Sequence, residues 1–245
     1  MLVTPLLNRR VIIAIIDLRN TTLWIVDGSP PASGGTVSGN QSALLPFRSN
    51  YGSIIPGGTA EVGQYVQFGT HLQFYEVVST SGGMLIYPGL LQNVSSGTAI
   101  NILGNGIYAK LGEGNLTYSE KRNIVTVLNR GFIDFVRAGD DIPLDVTMDF
   151  TWESLRSFSG DLPTIEEALK QIGQALNWVS TSADPCEPYC IDMYVLNIPP
   201  CGTNAESIRL PEFRWTSLDH DLKAGKVSIK ATCNAIYAIV DHVIP

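Results

Sequence analysis

Residues 144–154, LDVTMDFTWES, set three carboxylates, Asp145, Asp149 and Glu153, at every other polar position of an alternating apolar and polar run. Paired acids cleave glycosidic bonds when the two carboxyls stand roughly 5–9.5 Å apart. Asp145 and Asp149 are four residues apart, and on one face of an extended strand that spacing is about 13 Å. The row is therefore too open for a glycosidase pair. LDHDLKAG (218–225) offers Asp219, His220 and Asp221, the residue types of a metal site. Neighbours along a strand point to opposite faces, so only a sharply bent loop could converge them. The stretch reads instead as a solvated turn. No G-x-S-x-G, P-loop, G-x-G-x-x-G or H-E-x-x-H pattern accompanies the three histidines, His71, His220 and His242. The sequence thus points away from an enzyme and calls for neither metal nor cofactor.

Four cysteines, Cys186, Cys190, Cys201 and Cys233, follow a C-x3-C spacing, a ten-residue gap and a distant fourth. That spacing fits no common zinc pattern. Two readings stand for them, free or buried thiols and disulfides. A net charge of −7 argues against sequence-reading of DNA or RNA, where a basic patch supplies the affinity. With 44% hydrophobic residues, 16% charged, 23 Gly and 14 Pro, the composition is that of a globular β-rich chain. The run VIIAIIDL (11–18) is broken by Asp17 and is far shorter than the roughly 20 apolar residues of a membrane helix. Its β-branched content and the lack of a small-residue cleavage site make it a buried strand rather than a signal peptide.

The elements that would position the acidic row are mostly strands. RVIIAIID and TLWIVDG (within 9–29) read as two apolar strands, and SPPASGGTVSGNQS (29–42) as a linker-like break. Segment 43–105 carries almost no charge and holds strand-like runs at Tyr65–Phe68, Leu72–Val78, Met84–Tyr87 and 98–103. These suit a small barrel or a meander. One helix is expected over 164–179. Thr164 and Glu167 form a capping box, and Ile165, Ala168, Leu169, Ile172, Ala175, Leu176 and Val179 keep helical spacing. CIDMYVLNI (190–198), ESIRLPEFRW (206–215) and KVSIKATCNAIYAIV (226–240) are strand-like again. The fold class is mainly β, with one flanking helix and a small all-β module at about 30–105.

The stretches GEGNLTYSEKRN (112–123), NRGFIDFVRAGDDIPLDVTMDFTWESL (129–155), PTIEEALKQIG, DPCEPYCIDMYV and LPEFRWTSLDHDLKAGKVSIKATCNA (210–235) resemble the major tail tube proteins of tailed bacteriophages. The likeness covers roughly 106–240 and the opening strands near 11–28, which implies one discontinuous tail-tube domain made of 1–29 and 106–245. Residues 30–105 stand where that family has a turn, as an inserted module for the tube exterior or for use between rings. The resemblance implies a β-sandwich or barrel with a helix on its flank, hexameric rings stacked into a tube, and an acidic lumen for viral DNA. It also implies a place in the virion tail, after assembly in the bacterial cytoplasm, beside tape measure, terminator, baseplate and, in a contractile tail, sheath. Neither catalysis, cofactor nor membrane insertion is implied.

Physical reasoning supports such a lumen, because a basic wall would hold phosphates while carboxylates repel the duplex. Asp145, Asp149 and Glu153 are the candidate lumen row, the alternative being an ordinary solvated strand face. Arg130, Asp134, Arg137, Asp140 and Asp141 form a candidate inter-subunit loop in which charges of both signs set register; the alternative is a plain hairpin tip. Two other functions fit a β-rich chain of this kind. One is a host-glycan-binding β-sandwich using Trp24, Tyr65, Tyr75 or Tyr87 as stacking platforms. The other is a different virion component, such as a tail terminator or capsid decoration protein.

Overall fold

The computed structural model describes residues 21–44, 52–69, 71, 73–103, 105–110, 115–129, 132–151, 163–197 and 205–243. They are mainly β with one short helix. Strand β1 (Thr21–Val26) comes first. Six strands of the low-charge segment follow: β2 (Ala32–Thr36), β3 (Ser53–Ile55), β4 (Tyr65–Phe68), β5 (Tyr75–Ser79), β6 (Met84–Tyr87) and β7 (Ala99–Ile102). Then come β8 (Gly106–Lys110), β9 (Asn115–Ser119), β10 (Ile124–Asn129), β11 (Phe132–Ala138) and β12 (Leu144–Thr151). Helix α1 (Ile165–Lys170) precedes β13 (Ile191–Asn197), β14 (Ala205–Asp221), β15 (Lys226–Cys233) and β16 (Ile239–Val243). Residues 11–18, expected as a strand, lie outside the described residues.

The main sheet runs β8-β1-β13-β14-β15-β12-β9, with β16 added on β14. In a flat sheet its two edge strands would stand about 29 Å apart. Yet β8 and β9 are joined by only residues 111–114, which reach at most about 18 Å. The sheet must therefore curl, and its concave face closes on one core. Leu23 and Ile25, Met193 and Val195, Ile229 and Ala231, and Val146, Met148 and Phe150 meet there with Ile165, Ala168 and Leu169 of α1. At Pro211–Glu212 strand β14 bulges, two of its residues standing against Asp192 of β13. Glu212 takes a left-handed φ of 48°, a conformation that costs a non-glycine residue. The buried Asp192 offsets that cost, since its Oδ1 accepts the Glu212 amide at 2.9 Å and its Oδ2 accepts Arg209 Nε and Nη2 at 3.0 and 2.6 Å.

The six strands β2 to β7 form a second sheet in the order β2-β7-β4-β5-β6-β3. Its ends are tied together by a Gly35–Gly58 bridge and by the Ser38 amide on Pro56 O and the Thr59 amide on Gly34 O. The result is a small closed barrel filled by Val66, Phe68, Tyr75, Val77, Ile86 and Ile100. The segment 29–42, expected as a linker, holds β2 instead. A Cβ on Gly34 would stand 2.9 Å from Ile100, and Gly35 has a φ of 88°. The glycines that suggest a loop are there because the barrel wall passes too close for any side chain.

Barrel and sheet share a core. The convex faces of β1 and β13 present Trp24, Val26, Tyr194 and Leu196 to Tyr65 and Phe74 of the barrel. Trp24 meets Tyr65 edge-on at 4.9 Å, and Phe74 meets Tyr194 at 4.4 Å. Such pairs add about 0.5–1.5 kcal/mol each beyond the area they bury.

The helix is shorter than its periodicity suggests. The capping box forms as expected, with Thr164 Oγ1 accepting the Glu167 amide and a Glu167 carboxylate oxygen accepting the Thr164 amide. However, Gln171 turns left-handed (φ 54°) and Gly173 follows at φ 57°. The helix thus ends at the left-handed Gln171, whose amide donates to Glu167 O, and a Cβ on Gly173 would lie 2.2 Å from Glu167 Oε1. A 3-10 turn, Gly173–Ala175, follows. Ile165, Ala168, Leu169 and Ala175 are buried, while Ile172, Leu176 and Val179 are exposed.

Replacing Trp24 by Ala removes the side chain that joins barrel to sheet and should destabilise the protein by about 3–5 kcal/mol. Urea unfolding followed by circular dichroism checks this. Because the core is shared, signals from barrel and sheet should move together.

Candidate functional site

Strand β12 confirms the alternation. Leu144, Val146, Met148 and Phe150 are buried, and Asp145, Thr147 and Asp149 lie on the convex face. Glu153 lies outside the described residues. The register with β9, β15 and β14 extends the acidic row into four cross-strand rungs: Ser119–Asp145–Thr232–Arg214, Thr117–Thr147–Lys230–Ser217, Asn115–Asp149–Ser228–Asp219, and Thr151–Lys226–Asp221. The acids of β12 thus face Thr232 and Ser228 of β15, with Lys230 and Lys226 on the neighbouring rungs. Asp145 is ion-paired with Lys121, and Asp149 Oδ1 accepts the Ser228 hydroxyl at 2.6 Å. Arg214 is held by Glu187 and Glu212. A single strand reads as purely negative, whereas the sheet face sets Lys226 and Lys230 of β15 among its acids. It is polar, and no barrel strand pairs with or packs on β9, β12 or β15.

Asp219 and Asp221 belong to this face, at the end of β14, and the turn follows at 222–225. Asp221 Oδ1 accepts the amides of Lys223 and Ala224, while His220 lies against Glu166. Lys170 donates to Glu166 and, with His220, holds that carboxyl below the usual range. These contacts belong to turn and helix rather than to a ligand set.

The candidate inter-subunit loop is spread along a two-stranded ribbon, β10–β11, that pairs with no other described strand. Arg130 lies outside the described residues, and Asp134 lies within β11. Arg137 pairs across to Val125, and the exposed Asp140 and Asp141 sit at the ribbon's root rather than its tip. More telling are residues that the charge pattern hid. Ile124, Leu128, Ile133 and Val136 share one face of the ribbon and are 57–68% exposed.

Of the four sugar-stacking candidates, Trp24, Tyr65 and Tyr75 are buried, and Tyr87 is half-buried. Cys186, Cys190 and Cys233 are unpaired thiols, and Cys201 lies outside the described residues. Burial, reinforced by Asp192, pushes the Cys233 thiol up to about 12. Among the described residues, no helix is long and apolar enough to cross a membrane. No protein-family model, curated protein or solved structure matches the chain.

In the folded protein a neutral-pH thiol reagent should modify Cys186 rapidly, and Cys190 and Cys233 only on unfolding. Peptide mapping after timed labelling checks the order, and equal rates at all three would contradict the burial.

Proposed function

We propose that this chain is a structural subunit of a phage tail tube, assembling with copies of itself into stacked rings that carry viral DNA. The observation behind this reading is the β10–β11 ribbon. An isolated two-stranded hairpin is marginal in water, and this one exposes Ile124, Leu128, Ile133 and Val136 on one face. Such a surface calls for cover by another chain. The edge strands β8 and β9 give further places for pairing between subunits, which a closed ring would satisfy.

Within such a ring the convex face of β9, β12, β15 and β14 is the surface free to line a channel. Its bases are each placed among acids or already paired, so a passing duplex meets no contiguous cationic patch. The barrel, on the opposite half of the sheet, falls outside that lining. The likeness of 106–240 to tail tube proteins supports the same assignment.

Negative-stain microscopy of the purified chain should show rings or hollow tubes. Changing Leu128 and Ile133 to Asp should leave the melting temperature within about 2–4 °C, because both side chains are exposed, and yet abolish the tubes. Monodisperse wild-type monomers that bind glycans would sink the proposal, and isolated caps or shells would favour a terminator or decoration protein. If the lumen assignment is right, Asp145→Lys with Asp149→Lys should keep tubes intact and slow DNA ejection. Unchanged infectivity would remove that face from the lumen.

A further inference from the structure

The chain crosses between sheet and barrel twice, at 27–31 going out and 103–105 coming back. Both crossings converge on the carboxylate of Asp27, which is only 8% exposed. Its Oδ1 accepts the amides of Ser29 and Asn105, both at 3.2 Å. Its Oδ2 accepts the Ser29 hydroxyl at 2.7 Å, the Asn105 side-chain amide at 3.0 Å and the Val179 amide at 3.0 Å. This side chain therefore joins the outgoing crossing, the returning crossing and the segment after α1, alongside the Asp27 amide on Asn105 O at 3.2 Å and the Gly28 amide on Val179 O at 2.8 Å.

Beside this knot lies a crevice of about 300 Å³ whose walls come from the two bodies. Gln67, Phe74 and Leu103 belong to the barrel side, and Val26, Asp192 and Tyr194 to the sheet. The polar groups nearest the knot are already engaged, since Asp27 holds five donors and Asp192 holds Arg209 and Glu212. The crevice thus offers a ligand no unmet carboxylate, but it leaves space between two bodies that elsewhere meet through Trp24, Val26, Tyr194 and Leu196. We infer that the barrel is hinged on the main sheet and that Asp27 is the latch fixing its angle. The aromatic contact of Trp24, Tyr65, Phe74 and Tyr194 is the pivot, and the crevice is the room into which the barrel rocks when the latch opens. Asp27 is a positioning residue in this scheme.

The test is Asp27→Asn, which keeps the shape of the side chain but turns one acceptor into a donor facing Ser29, Asn105 and Val179. Amide hydrogen exchange in the full chain should rise at Ser29, Asn105 and Val179 by roughly tenfold, the scale of one lost hydrogen bond to a charged acceptor. The Val77 amide on Gln64 O inside the barrel, and the β12–β15 ladder, should keep their rates. Spin labels on Cys186 and on a Val62→Cys substitution, in a Cys201→Ser background, should give a broader distance distribution in the variant. Ser29→Ala with Asn105→Ala, which removes donors and leaves the carboxylate, should broaden it as well. Uniformly faster exchange throughout both bodies would show Asp27 to be ordinary scaffolding. An unchanged distance distribution in both variants would remove the hinge.

Discussion

Strands β1 and β13 have no free face. Leu23, Ile25, Met193 and Val195 point into the curled sheet, while Trp24, Val26, Tyr194 and Leu196 point into the contact with the barrel. Two adjacent strands buried on both sides make this pair the wall common to both cores. Everything else is arranged around that wall. The barrel has to sit against it, the polar face has to fall on the other half of the sheet, and β14 has to bend to connect the halves.

That bend shows how local cost and global shape are balanced. A left-handed non-glycine residue at Glu212 is unfavourable alone. It persists because Asp192, itself part of the shared wall, accepts its amide while pairing with Arg209. Arg209 in turn lies over the Tyr194 ring at 5.6 Å, so the ion pair is seated against the same aromatic cluster that holds the barrel. Burying a carboxylate is tolerable only with this degree of satisfaction.

Much of the fold was legible in the sequence, because period-2 alternation and capping chemistry are local. The core face of β12, the strands at 65–68 and 84–87 and the Thr164–Glu167 box all follow from neighbours a few residues apart. What was hidden depends on distant pairing. Asp149 looks like part of an acidic ribbon until Ser228 and Lys230, nearly eighty positions later, are brought beside it. The two glycines of β2 imitate a loop because close approach to Ile100 and a positive φ demand them. Helical spacing through Val179 misleads because Gln171 and then Gly173 turn left-handed and stop the helix after Lys170. The exposed face of the β10–β11 ribbon was also obscured: its strands are apolar like any buried pair, and a sequence does not say which sheet is left without a second layer.

The shared wall bears on how such a chain could have arisen. A barrel hung on a flexible tether could be gained or lost by a single insertion or deletion in the gene. Excising residues 30–105 here would join β1 to β8 by a short turn, but it would leave Trp24, Val26, Tyr194 and Leu196 bare on the surface. A version of this chain without the barrel would need polar residues at those four positions. Barrel and strand face are thus coupled, since neither can be removed without changing the other.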